Sequence, residues 1–215
     1  MLAETSAPLR TTLVVDPVDY LLADVALGRH LPGEPVHAAQ LAEEHGITGA
    51  EAVEAVETAW FLGVLTRGHS IAEGRVAWTP AGTEAQVHRL ARAMVAMVRR
   101  PVSTRETACS VIDGEDLRQG AAELFDLRTP ADLVVFLELA RALLGRSDRL
   151  LVDDLVAPVA ILFSEVSQET HGIEFAAPAA VRDDLVRALV RALIDGRVDD
   201  FADLVDDYLL ALSVG

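Results

Sequence analysis

Residues 16–82 have the sequence DPVDYLLADVALGRHLPGEPVHAAQLAEEHGITGAEAVEAVETAWFLGVLTRGHSIAEGRVAWTPAG. In the first three parts of this stretch apolar residues recur at helical spacing, and each part ends at a glycine, namely Gly28, Gly46 and Gly63. Two short apolar runs follow, separated by a loop that contains glycine and serine, which is typical of a hairpin. The stretch predicts helices over 22–28, 38–45 and 50–63, a turn over 30–35, and strands over 64–67 and 75–78.

The second and third predicted helices are joined by a link of only a few residues, 47–49. A helix, a short turn and a second helix form the unit that proteins use to place a helix in a DNA groove. With a hairpin behind it, this unit becomes a winged helix-turn-helix. We therefore predict a winged helix-turn-helix domain over residues 1–82 that binds double-stranded DNA.

Several runs in this domain are distinctive. They are Leu31-Pro32-Gly33-Glu34, Gln40-Leu41-Ala42-Glu43-Glu44-His45-Gly46-Ile47-Thr48, Val53-Glu54-Ala55-Val56 and Leu62-Gly63-Val64-Leu65-Thr66-Arg67. Together these runs resemble the DNA-binding half of GntR-type transcription regulators. The resemblance implies a regulator that recognises an operator. The use of arginine for all 18 basic residues indicates a GC-rich bacterial genome. The run 78–82 is also similar to the strand-to-helix exit of MarR-like winged helices, so this half leaves the subfamily open.

The start of the third helix departs from that family. Members of the family usually have arginines there that contact DNA, whereas this chain has Glu51, Glu54 and Glu57 on the helix. Residues 1–80 contain four arginines against eleven acidic residues. Because phosphate neutralisation supplies most of the affinity of DNA-binding proteins, this charge balance opposes binding.

The remaining candidates for DNA contact lie mainly in the wing. We predict contacts from the following residues: Thr48, Arg67, His69 and Arg75. A further group on the next helix is either a solvated face or an extension of this basic patch: Arg89, Arg92, Arg99 and Arg100.

Residues 83–215 show apolar spacing of three and four throughout, which predicts an all-helical bundle and a mainly α protein. The predicted helices are 83–100, 117–127, 129–144, 150–166, 179–194 and 198–212. Thr129 is expected as the N-cap of the third, with Pro130 at its first position. Pro158 is a candidate kink, and 110–116 and 168–178 are expected to be turn and loop.

Two parts of this half are similar to the helical ligand-sensing domain of the FadR branch of GntR-type regulators, the FCD fold. They are Ala121-Ala122-Glu123-Leu124 through Leu133, and the closing pair from Asp184 through Asp195-Gly196-Arg197 to Tyr208-Leu209. The resemblance implies a homodimer that senses a small organic effector. Arg118 and Arg128 are candidate ligand-binding residues that could clamp a carboxylate, or are solvated surface arginines.

Many FCD domains bind a metal through one aspartate and three histidines. By position the aspartate is Asp153 or Asp154, but the histidine positions hold Ala157 or Pro158, Asp183 or Asp184, and Asp207 or Tyr208. A site without imidazoles is poorly suited to a transition metal, so the resemblance here is degenerate and we predict no metal and no cofactor. The acids are solvated, or form a Ca²⁺ or Mg²⁺ site.

Composition limits the remaining alternatives. The chain has 215 residues, a net charge of −16 and no lysine, and its single cysteine, Cys109, favours a reducing cytoplasm. No signal peptide or membrane-spanning run is expected. His171, near Glu169 and Glu174, is a surface histidine, a ligand or a base.

No nucleophile, base and acid can be assembled, so we predict no catalytic residue and no enzyme. Two functions remain. The first is a ligand-responsive DNA-binding transcription regulator. The second is an effector-binding or protein-interaction module that retains the regulator fold without binding DNA.

Overall fold

The computed structural model describes residues 16–100, 130–144 and 149–215. Its elements follow in chain order: α1 Pro17–Ala26, β1 Pro35–His37, α2 Ala38–His45, α3 Gly49–Phe61, β2 Leu65–Arg67, β3 Glu73–Val76, α4 Pro80–Val98, α5 Ala131–Leu144, α6 Arg149–Phe163, α7 Glu165–His171, α8 Ala179–Ile194 and α9 Val198–Ala211. The described residues are therefore mainly helical with one small sheet, which confirms the predicted fold class.

Helix α1 begins earlier than predicted. The Asp16 carboxylate accepts a hydrogen bond from the Val18 backbone N–H at 3.1 Å, and Pro17 occupies the first helical position. Both are start signals, because an acidic cap satisfies a free N–H and proline lacks one. The helix ends at Ala26, and Gly28, two residues later, reverses the chain with a φ of +68°.

The helix-turn-helix forms where the sequence predicts it. Helix α2 has the predicted bounds and ends at Gly46, which is left-handed with φ +64°. Helix α3 begins at Gly49, one residue before the prediction, and ends at Phe61 rather than at 63. The turn between the two helices therefore consists of residues 46–48.

The sheet has three antiparallel strands in the order β1-β3-β2, rather than the two strands predicted. Strand β1 was missed, and the predicted turn over 30–35 is wrong at Pro35, which pairs with Arg75. Proline is tolerated there because it stands first on an edge strand. Strand β3 begins at Glu73, two residues before its prediction.

The helical half follows the predicted order with shifted boundaries. Helix α4 begins at Pro80, capped by the Thr79 hydroxyl, so the predicted domain boundary between residues 82 and 83 falls inside a helix. Helix α6 ends at Phe163, and α7 occupies part of the predicted loop 168–178. Helix α8 has its predicted bounds. The predicted helix 117–127, the turn 110–116 and Cys109 lie outside the described residues.

Buried apolar residues from both halves form one cluster, which extends from Val18 in α1 to Leu212 after α9. The halves are joined by polar contacts as well. The Trp78 indole N–H donates to the Pro158 carbonyl at 3.1 Å in a buried position. Among the described residues no helix is both long enough and apolar enough to cross a membrane.

Candidate nucleic-acid interface

The first turn of α3 is closed by a reciprocal cap between Thr48 and Glu51. The Glu51 backbone N–H donates to the Thr48 hydroxyl at 3.3 Å. The Glu51 carboxylate in turn accepts from both the backbone N–H and the hydroxyl of Thr48, each at 2.7 Å. This is a capping box, in which each residue satisfies a group that the helix end leaves free.

The cap gives Glu51 a structural role that the sequence analysis did not assign. Hydrogen bonds from the Thr48 side chain and then its backbone lower the pKa of Glu51, so the side chain is ionised near neutrality. A negative carboxylate at a helix N-terminus is favourable for the helix. The Glu51 carboxylate and the Thr48 hydroxyl together cover two N–H groups that would otherwise attract a phosphate, so this end of α3 is a poor anion site.

Arg67 is held at the other end of α3. Its guanidinium lies over the Trp60 ring, 5.5 Å from the ring centroid, which is a cation–π geometry. Gly74 makes space for this ring, because a Cβ at position 74 would lie 2.9 Å from the indole nitrogen of Trp60. Trp60, which the sequence analysis did not single out, therefore orients the exposed arginine of β2.

Arg75 is held by a different contact. Its Nη1 donates to the Gly33 carbonyl at 2.9 Å, which ties β3 to the turn before β1. In the ladder Arg75 is opposite Thr66, whereas Arg67 is opposite Gly74. Because successive side chains of a strand point to opposite faces, Arg67 and Arg75 lie on different faces of the wing.

The structure therefore gathers the predicted residues only in part. Arg67, His69 and Arg75 belong to the wing and are exposed. Thr48 stands before α3 and Arg67 follows it, so about 20 Å of helix separates them. The four residues therefore do not form one cluster. The arginines of the possible extension on α4 and its end are all exposed.

The predicted ligand-binding residues Arg118 and Arg128 lie outside the described residues. The helical half contains a buried polar network that the sequence pattern did not predict. Arg182 donates from Nε to the Asp132 carboxylate at 2.9 Å, and the Tyr208 hydroxyl donates to the same oxygen at 3.0 Å. Arg182 also bonds the Ala177 carbonyl and lies 4.8 Å from the Phe175 ring centroid.

Burial, and then the neighbouring Asp132 carboxylate, raise the pKa of Tyr208 well above 10, so its hydroxyl stays protonated and donates. Tyr208 is one of the residues that resemblance places at a metal-ligand position. Its oxygen is already used by Asp132, and Asp153, another such residue, lies 3.3 Å from Arg141 Nε. These contacts support the prediction that the helical half binds no transition metal, which stays a prediction.

His171 lies at the contact between the two halves. Its Nε2 is 3.3 Å from the Val25 carbonyl, and its ring lies 5.2 Å from the ring of Trp78. These contacts give His171 a packing role between α7 and α1, which is none of the three roles that the sequence suggested.

A small cavity opens between α4, α6 and the chain after α9, lined by Glu84, His88, Phe163 and Leu212 among others. The buried Nε2 of His88 has no hydrogen-bond partner there. The cavity measures about 10 Å³, which is the space of one water molecule and too little for an organic effector.

No protein-family model matches the chain, and no curated protein is significantly similar to it in sequence. Solved structures do match. One of these structures is described with the words that Lar controls the expression of the Listeria monocytogenes agr system and mediates virulence. Its sequence is 13% identical to this chain, and the match covers 91% of this chain and 92% of that chain with a TM-score of 0.59.

A second match is a crystal structure of a candidate transcriptional regulator GntR from Rhodococcus sp. RHA1. It is 14% identical, covers 89% of this chain and 91% of that chain, and has a TM-score of 0.50. The chain shares its fold with these two proteins. At such low identities the likeness establishes the arrangement of a winged helix followed by a helical bundle, and its extent shows that both halves match.

Proposed function

We propose that the protein is a DNA-binding transcription regulator of the GntR type, FCD branch, whose helical half senses a small organic effector and forms a homodimer. The observation that carries the proposal is the intact head: α2, a three-residue turn, a capped α3 and a wing with two exposed arginines. The resemblance of the sequence and the shared fold support the family.

The contacts to DNA in this proposal come mainly from the wing. Arg67 and Arg75 are the exposed cations of β2 and β3, and His69 lies in the loop between these strands. The start of α3 contributes little attraction, because Glu51 caps it and Glu54 is exposed one turn later. Two arginines in each head of a dimer neutralise about four phosphates, which gives a salt slope of about 3.6.

The proposal is tested by fluorescence polarisation of a duplex from the promoter next to the protein's own gene, measured across salt concentrations. Arg67→Ala and Arg75→Ala are each expected to weaken binding about tenfold and to reduce the salt slope by about 1 for each phosphate that is no longer neutralised. Glu54→Gln is expected to strengthen binding, because it removes a negative charge from α3 without touching the cap.

Arg187→Ala is the matched control. Arg187 is an exposed arginine of α8, and its partner Asp183 lies on the same helix, so its loss should leave binding unchanged. Nanomolar binding that survives both wing substitutions and is insensitive to Glu54→Gln would mean that the wing and the start of α3 do not contact the duplex.

The alternative is a protein-interaction module that has kept this fold. Two observations favour it: exposed acids line α2 and α3, and the side chain of Phe61 at the end of α3 is 72% exposed. This function predicts that duplex binding at physiological salt stays no tighter than non-specific binding, about 10⁻⁶ M. Such a result for the wild type and for Glu54→Gln would reject the regulator and retain the module.

A further inference from the structure

A buried histidine stands in the head, away from the wing. This residue, His30, is 7% exposed. Its position follows from the end of α1, where Gly28 turns left-handed and the Arg29 N–H bonds back to the Asp24 carbonyl at 2.9 Å. The reversal returns the imidazole to the last turn of α1.

Two carboxylates lie near this imidazole. Asp24 is 2% exposed and comes from α1, whereas Glu44 is exposed and comes from the last turn of α2. One donor atom from each of Asp24, His30 and Glu44 lies within 4.8 Å of the others. Ligands bound at about 2.1 Å around a tetrahedral ion lie about 3.4 Å apart, so each pair of these atoms would have to approach by at most about 1.4 Å to hold an ion.

Both carboxylates already have supporting donors. His45 Nε2 lies 2.6 Å from Asp24 Oδ2, and Gln40 Nε2 donates to Glu44 Oε1 at 2.8 Å. Tyr20 stacks on the His45 ring with centroids 4.7 Å apart, which fixes the ring beside Asp24. Hydrogen bonds of this kind orient ligands and raise their affinity for a metal.

We propose that Asp24, His30 and Glu44 form a site for a divalent transition metal in the winged-helix head. One imidazole nitrogen and two carboxylate oxygens, with water completing the shell, suit Zn²⁺ and its neighbours in the first row. The site differs from the one that resemblance places in the helical half, and from the sequence prediction of no metal. The sequence did not predict this site, because His30 is not separated from Asp24 or Glu44 by the three or four residues that place two ligands on one helix face.

Arg29 is the competitor for this site. Its Nη1 donates to Asp24 Oδ1 at 2.8 Å, but its side chain is 63% exposed and can leave into solvent. A bound cation would therefore replace the Arg29 guanidinium beside Asp24, and the exposed Arg29 side chain would move into solvent at little cost. The ion would connect α1 to the end of α2, next to the turn that leads into α3, and so would stabilise the head by mass action.

The test uses the untagged full chain, stripped with a chelator and titrated with Zn²⁺ against a chromophoric competitor, with Co²⁺ as a spectroscopic probe. We expect one equivalent to bind. His30→Gln and Glu44→Gln should each weaken binding at least tenfold, whereas Arg29→Gln should strengthen it. Glu43→Gln and His37→Gln, which change an adjacent acid and an exposed imidazole, are the matched controls and should bind as the wild type does.

The Asp24–His45 contact is untouched in every variant, and Glu44 is exposed, so the Glu44→Gln protein is expected to fold even if His30→Gln does not. Absence of stoichiometric binding in the wild type would overturn the proposal. So would binding that persists in Glu44→Gln, that weakens in Arg29→Gln, or that is lost instead on Asp153→Asn. Because no DNA is used, these outcomes are independent of the proposed regulatory function.

Discussion

Replacing Arg182 by methionine tests the buried network of the helical half. The substitution keeps an unbranched apolar stem of similar length but removes the guanidinium, which is 4% exposed and donates to Asp132 and to the Ala177 carbonyl. Asp132, 1% exposed, then retains Tyr208 as its donor from this network. The variant therefore leaves a buried carboxylate without its counter-ion.

The cost follows from that unpaired charge. Breaking a buried ion pair by removing one partner costs about 3–5 kcal/mol. Because the Tyr208 hydroxyl still donates to Asp132, we expect the lower end of this range, about 3 kcal/mol. For a chain of this size 1 kcal/mol corresponds to about 2–4 °C, so the midpoint of thermal unfolding should fall by about 6–12 °C.

The assay is urea and thermal unfolding followed by circular dichroism. Arg187→Met on the same helix is the control, because Arg187 forms an exposed pair with Asp183 and should leave the midpoint nearly unchanged. The double variant Asp132→Leu with Arg182→Met should be less destabilised than the sum of the two single variants. A loss below about 1 kcal/mol in Arg182→Met, or additive costs in the double variant, would refute the role assigned to the network.

Two further substitutions test local features of the head. Gly28→Ala should lower the midpoint of thermal unfolding more than Gly33→Ala does. Both glycines have positive φ, which costs an alanine about 1–2 kcal/mol, but only at Gly28 would the new Cβ clash with another atom, Thr170 Cγ2 at 2.9 Å. Equal losses in the two variants would show that Thr170 of α7 moves aside at no cost. Since hydrogen bonds from Thr48 lower the pKa of Glu51, its carboxylate stabilises the fold fully above the ordinary pKa of 4.5 and loses this effect as pH falls through the lower pKa of the folded state. The difference in stability between wild type and Glu51→Gln should therefore shrink below pH 4.5. A difference that does not change with pH would contradict the capping role of Glu51.

The sequence predicted the helices best where apolar periodicity and a stop signal coincide. Helices α2 and α8 have their predicted bounds, and α2 ends at a glycine that adopts positive φ. Periodicity is local, because it records one helix face against the core. Strand β1 was missed because three residues carry little pattern of their own. Its hydrogen bonds come from β3, whose Gly74 pairs with Val36.

The candidate sites divide in the same way. The sequence placed Arg67 and Arg75 in the wing, since a hairpin needs only its turn and two apolar runs. It did not show that the two arginines lie on different faces, which depends on the register between β2 and β3. It also assigned repulsion to Glu51, whereas the formed helix end uses that carboxylate as a cap.

What the sequence determined by itself is thus the order of the longer helices and of the hairpin, together with the acidic balance of the head. What only the tertiary structure decided is which distant groups share a site. Asp132 meets Arg182 and Tyr208, and Asp24 meets His30 and Glu44. The physical reason is that burial forces polar groups to find partners wherever packing brings them, and packing is set by the apolar faces of several helices together.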